Sequence, residues 1–244
     1  MNNKLKLATL LLFVTVAANI ANAQDFLDKS YKSYRDKPLS RIGLKGGVTF
    51  ANSTYKNNGN VDNSSLLTTF NAGVVADLGL SKVFFIRTGL DFQSKGIKYN
   101  VAGSDKHTYK SNPLYLELPV NFVFKAPLSE TVKFYFGAGP YLACGIGGKQ
   151  SDSYTNGNVT TTTSTTIKFS NDNLSGNNGS VWEGAQYKRF DVGANILAGL
   201  ELGRVAFNVQ YGIGLFNTVP GTSNNLNNQI NEHRVFSADF IIFL

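Results

Sequence analysis

Apolar and polar residues alternate with a period of two through most of this chain, most plainly between Phe190 and Phe216. One parity reads Phe190, Val192, Ala194, Ile196, Ala198, Leu200 and Leu202; the other reads Asp191, Gly193, Asn195, Leu197, Gly199 and Glu201. After Leu202-Gly203-Arg204 the alternation resumes, with Val205, Phe207, Val209, Tyr211, Ile213 and Leu215 against Ala206, Asn208, Gln210, Gly212 and Gly214. A period of two means β-strand, and a short Gly-containing joint between two such runs means a hairpin. Each run has about twelve residues, whereas strands in soluble domains usually have about five or six. Tilted strands of about nine to eleven residues, apolar outside and polar inside, are what a bilayer requires. The pattern predicts an all-β fold, a transmembrane antiparallel up-and-down β-barrel.

The same rule places the other strands. They are expected at 41–51, at 66–80, from 83 onward and open-ended toward Tyr99, at 114–125, at 132–144 and at 233–244. With the two runs above, that makes eight; ten result if the third long connection hides a hairpin. Pro119 falls inside the fourth strand, where a ladder hydrogen bond must be lost, so a bulge or local break is expected there. Connections after strands 2, 4 and 6 are short. Those after 1, 3, 5 and 7 are long and polar, at 52–65, 100–112, 145–185 and 217–232. Short periplasmic turns alternating with long extracellular loops are the pattern of outer-membrane barrels. The third loop, rich in Asn, Ser, Thr and Gly, is expected to be mobile and exposed, although its Thr tract at 160–166 has the propensity to lengthen the hairpin.

Ahead of the strands, Lys4 and Lys6, the apolar run from Leu7 to Ala18, and Ala21-Asn22-Ala23 read as a signal peptide over 1–23, cleaved before Gln24. Residues 24–40 form a periplasmic lead, and 41–244 the barrel domain.

Composition sharpens the picture only in places. Charged residues make up 16% of the chain, below the roughly 25% of soluble domains. The net charge of +7 is not gathered into a Lys/Arg run, which speaks against nucleic acid. Outer-membrane lipid and anionic lipopolysaccharide are the expected surroundings, and protein partners would dock at the extracellular loops or the lead. Cys144 is the single Cys, so it forms no internal disulfide, and a buried, inert thiol is expected.

Eight strands enclose an interior just wide enough to be filled by side chains. The inward charges expected there are Lys45, Arg87, Asp91, Glu117, Arg189, Asp191 and Asp239, beside Arg41, Asp77 and Glu201. An isolated buried charge costs several kcal/mol, so these should pair, Lys45 with Asp239 among them. That predicts a plugged lumen with a structural charge network, a narrow channel being the alternative. No catalytic, metal or cofactor site is expected. His107 shares one polar loop with Ser104 and Asp105, but a hydrolytic triad needs members converging from a rigid scaffold. His233 lies elsewhere, and two distant His with one Cys make no metal ligand set. No Gly-rich phosphate loop is present.

Several segments resemble the PorT-like outer-membrane β-barrel family of Bacteroidota. They are Tyr115-Leu116-Glu117-Leu118-Pro119-Val120, Gly137-Ala138-Gly139-Pro140-Tyr141, Phe190-Asp191-Val192-Gly193, Gly199-Leu200-Glu201 and Tyr211-Gly212-Ile213-Gly214-Leu215. The resemblance spans roughly all the predicted strands. It implies an integral outer-membrane protein without catalysis. The family's founding member is associated with secretion of proteins across the outer membrane. An accessory part in secretion or envelope assembly therefore stands as the alternative to an interaction role through the loops.

Overall fold

The computed structural model describes residues 40–57, 60–63, 65–101, 106–157, 159–169, 186–218 and 230–244. The expected signal peptide and nearly all of the lead lie outside the described residues.

Thirteen strands occur among the described residues: β1 (Arg41–Asn57), β2 (Asn60–Asn63), β3 (Leu67–Gly79), β4 (Phe84–Ser94), β5 (Ile97–Val101), β6 (Lys106–Pro127), β7 (Val132–Asn156), β8 (Val159–Thr166), β9 (Lys168–Phe169), β10 (Gln186–Tyr187), β11 (Phe190–Leu202), β12 (Val205–Gly214) and β13 (Ile230–Phe243). Eight of them build a closed wall in the order β1-β3-β4-β6-β7-β11-β12-β13, each antiparallel to both neighbours. The last returns to the first along a ladder from Gly43↔Phe243 to Lys56↔Ile230. Closure leaves no unpaired wall edge, which is the condition for crossing hydrocarbon with strands.

Alternation along each strand separates two surfaces. One parity is buried inside the barrel, as with Asp191, Asn195, Leu197 and Glu201 on β11. The other presents Leu44, Phe70, Phe122, Phe136, Ile196 and Phe240 to the outside, each half exposed or more. An apolar belt this continuous has no place on a soluble monomer; it is the lipid-facing wall.

Three tight joints lie at one end, at 80–83, 128–131 and 203–204. The first two are closed by backbone bonds from Leu80 N–H to the Phe84 carbonyl and from Leu128 N–H to the Val132 carbonyl, each 2.8–2.9 Å. The third turns on Gly203, whose φ of +61° suits glycine.

At the opposite end the strands outrun the bilayer. β6 has 22 residues and β7 has 25, against the about nine to eleven needed to cross. β5 pairs with the beginning of β6, and β8 with the end of β7, giving a four-stranded ribbon sheet β5–β6–β7–β8 above the wall. The expected loops at 100–112 and 145–185 are thus, in much of their described length, ladder rather than loop. Thr, Ser and Tyr suit cross-strand pairing without an apolar face. The wall itself stays at eight strands. β9 and β10 form the one parallel pair among the described residues, two rungs long.

Pro119 interrupts the ladder without shifting it. Pairing lapses on one side between Thr88↔Val120 and Asp91↔Glu117, and on the other between Pro119↔Tyr141 and Phe122↔Ala138. Pro119 and Pro140 both lack an N–H here. The register shift of this hairpin lies instead at Leu114/Tyr115, where β7 carries Ile146 as an extra residue. Cys144 is only partly buried, and its rungs pair it with the outward residues Leu116 and Phe190. It belongs to the outer wall rather than the interior.

Two inward glycines of β11 make room for two inward tyrosines of β7. Gly199 is opposite Tyr135 and Gly193 opposite Tyr141. A Cβ at Gly199 would lie 2.4 Å from the Tyr135 hydroxyl oxygen and 2.2 Å from the Phe207 carbonyl oxygen. Because one of those atoms is backbone, Gly199→Ala is expected to destabilise the barrel by about 1–3 kcal/mol. Urea titration of the folded protein in detergent measures this, and an unchanged midpoint would contradict the packing.

Candidate functional site

The interior is filled at three levels by side chains from different strands. Nearest the tight joints, the Arg87 guanidinium donates to both oxygens of Asp77, from Nε at 2.7 Å and from an Nη at 2.9 Å. Lys125 Nζ bridges Asp77 at 2.6 Å and Glu201 at 2.8 Å, and Arg41 reaches Glu201 at 2.7 Å. Aromatic faces cover the cations: Arg87 sits 4.4 Å from the Tyr135 ring centre and Arg41 4.0 Å from that of Phe243. The bidentate fork and the shared lysine satisfy buried oxygens that would otherwise be costly.

At mid-height, Lys45 Nζ donates to Asp91 at 2.6 Å. Asp239 accepts instead from Asn71 at 2.7 Å and Asn208 at 3.1 Å, with Ser237 at 3.3 Å. The expected Lys45–Asp239 pair is therefore replaced by Lys45–Asp91. The register explains it: Gly47 stands opposite Asp239 and Lys45 opposite Ile241 on β13, whereas on the other side Lys45 is level with Gly73 of β3 and Gly73 with Asp91 of β4, so the amine passes over the glycine to Asp91. A cavity of about 20 Å³ beside Lys45, Asp91, Asn208 and Gln210 is room for about one water.

Toward the ribbon end, Lys95 Nζ lies 2.8 Å from Glu117 and 2.9 Å from Asp191. Asn195 donates to Glu117 and Tyr141 to Asp191, at 3.1 and 3.2 Å. Above them sits a ring of aromatics. His233 is fully buried, edge-on to Tyr115 at 5.7 Å and stacked on Tyr187 at 6.3 Å between ring centres. Its ring nitrogens have no hydrogen-bond partner among the described residues. Phe169 packs on both tyrosines.

Nine of the ten expected inward charges, Arg41, Lys45, Asp77, Arg87, Asp91, Glu117, Asp191, Glu201 and Asp239, are in these clusters. Arg189 is not. It stands just before the first rung of β11, Phe190↔Cys144, and its side chain is exposed at the rim. Sequence reasoning passed over Lys95 and Lys125, yet parity marked both: Lys95 continues Arg87, Asp91 and Gln93, and Lys125 continues Glu117 and Asn121. His107 contacts Asp152 on the ribbon sheet, where both are half exposed; Ser104 and Asp105 lie outside the described residues. Among the described residues no group of three or more His, Cys, Asp and Glu is arranged to hold a metal ion.

A closed eight-stranded wall with an apolar outside and a charge-paired inside defines a small membrane β-barrel. The chain belongs to the family described as outer membrane protein beta-barrel domain, whose model matches residues 22–219. Comparison with curated proteins finds no match. Among solved structures, the chain is similar to Ail, the attachment invasion locus protein of Yersinia pestis, in its complex with the heparin analogue sucrose octasulfate. That similarity has 11% identity and a TM-score of 0.35, over 84% of this chain and 99% of that one. Neisserial surface protein A is similar at 11% identity and a TM-score of 0.39, over 84% of this chain and 98% of that one.

Proposed function

We propose that this outer-membrane barrel has a sealed lumen and serves as a structural or interaction protein through the sheet raised above its wall, without catalysis. The filled lumen carries the reading. Three stacked charge clusters and an aromatic ring leave little interior through which a solute could pass, so contacts fall to the outside. On the length rule for such barrels, the ribbon end is extracellular and the tight joints periplasmic. We further propose export by a signal peptide over 1–23, a periplasmic lead over 24–40, and outer-membrane lipid and lipopolysaccharide as surroundings.

PorT-like membership is part of the proposal. The segments that carry that resemblance, Tyr115–Val120 and Gly137–Tyr141, lie side by side across the β6–β7 ladder, and Glu117 and Tyr141 belong to the upper cluster. The inward half of those segments, Tyr115, Glu117 and Tyr141 among it, thus fills the lumen, while Leu116, Leu118 and Val120 face outward. A rim hydrolase lacks support, because His107 is on the ribbon and His233 is enclosed by aromatic rings.

Mild detergent extraction of the native membrane, followed by mass spectrometry of what co-purifies, tests the interaction role. A stoichiometric partner retained by the full chain and lost when 151–164 is trimmed is the expected result. A partner lost only when 25–39 is removed would favour the secretion or assembly accessory instead.

A further inference from the structure

The ribbon sheet has two faces of different chemistry. On β6 the outward parity that places Leu114, Leu116 and Leu118 on the lipid side continues without a break to Lys110. On β7 the extra residue at Ile146 flips the parity, so that Lys149, Ser151, Ser153 and Thr155 point outward, while Gln150 is buried. Lys98 pairs with Lys110, and Lys149 with Asn112 and Thr166. The outward face therefore carries Lys98, Lys110 and Lys149 beside rows of Ser and Thr hydroxyls. Lys110 and Lys149 are exposed and Lys98 is partly buried. The hydroxyls are aligned in cross-strand pairs, Ser153 with Thr162 at 3.0 Å and Thr155 with Thr160 at 2.9 Å.

Among the described residues no carboxylate shares this face or pairs with these lysines. Asp152 is on the opposite face, in contact with His107. The opposite side of the rim differs, since Arg234 there is paired with Glu232 at 2.7 Å. The bulge is what makes the patch: without it, Lys149 would turn to the inner face.

Height decides the ligand. Lys110 lies four residues beyond Leu114, which places its Cα about 10 Å above the apolar belt for strands rising about 3.4 Å per residue and tilted about 40°. The headgroup layer extends roughly 5–7 Å beyond the hydrocarbon, and lysine stems bend back along apolar surface toward it. We propose that the outward face of this sheet, through Lys98, Lys110 and Lys149 with the Ser/Thr rows, docks the phosphate-bearing headgroup of lipopolysaccharide in the outer leaflet. The ammonium groups meet phosphate, and the hydroxyls meet phosphate and sugar oxygens. This rests on the ribbon end being extracellular, but not on any protein partner, so failure of the co-purification test leaves it standing.

The test uses the full-length barrel refolded in lipid-free detergent and transferred to vesicles containing purified phosphorylated lipopolysaccharide or its enzymatically dephosphorylated form. Glycolipid retained after re-extraction is quantified. The wild type is expected to retain the phosphorylated form selectively, with retention falling as salt rises. The triple variant Lys98→Gln/Lys110→Gln/Lys149→Gln should retain it at least about tenfold less, as loss of three cations near an anionic surface requires. Lys→Arg at the same positions should keep it. Equal retention by wild type and triple variant would overturn the proposal, and so would equal retention of both glycolipids by the wild type, a comparison that needs no variant to fold.

Discussion

Asp77→Ala is expected to destabilise the barrel by about 3–5 kcal/mol, because it leaves buried cations without their carboxylate. Asp77 is fully buried and accepts from Arg87 through both oxygens and from Lys125. Arg87 is itself buried and pairs with no other carboxylate among the described residues, whereas Lys125 and Arg41 both keep Glu201. The double variant Asp77→Leu/Arg87→Met removes both sides of the fork and should cost less than the sum of its single changes. Urea unfolding in vesicles, followed by heat-modifiable migration on gels, measures all of these. Additive costs would mean that the fork does not couple the two strands.

Val209→Arg should cost about 2–4 kcal/mol, the penalty for a cation on the lipid face near the midplane. Val209 is central on β12, between Ala198 and Ala238. The neighbouring Gln210→Arg is expected to cost less. Gln210 points inward and lines the same small cavity as Lys45, Arg87 and Asp91, and among the described residues Asp91 pairs with Lys45 alone while Asp239 pairs with no cation. The new guanidinium would find a carboxylate there. Equal costs at the two positions would reverse the assignment of inside and outside.

Parity made the wall legible. Where one face meets lipid and the other a charged lumen, each residue has a single tolerable side, and the alternation from Phe190 to Leu215 records it. The ribbon sheet has no such contrast. Thr160 to Thr166 and Ser151 to Asn156 offer similar polarity on both faces, so their pairing left no periodic trace and read as loop. The extra residue at Ile146 also hid the continuation of β7, because it swaps the two parities in mid-strand. Inside, sequence parity identified which charges face the lumen but not which ones meet. Lys45 reaches Asp91 two strands away because Gly73 stands between them on the same row, and Asp239 is held by the amides of Asn71 and Asn208. Lys95 is the instructive omission: it keeps the inward parity of β4 just past the end of that strand, within the stretch toward Tyr99 over which the strand was expected to continue. Arg189 fails for the converse reason, having the inward parity of β11 one residue before the wall begins.

The sealed lumen is the claim on which the rest depends, and conductance tests it most directly. The folded wild-type barrel, reconstituted in a planar bilayer, is expected to show no steady conductance steps, because ion pairs and hydrogen bonds between non-neighbouring strands fill the interior at three heights. Reproducible unitary steps from the folded protein would contradict the account and make the charge clusters the lining of a channel.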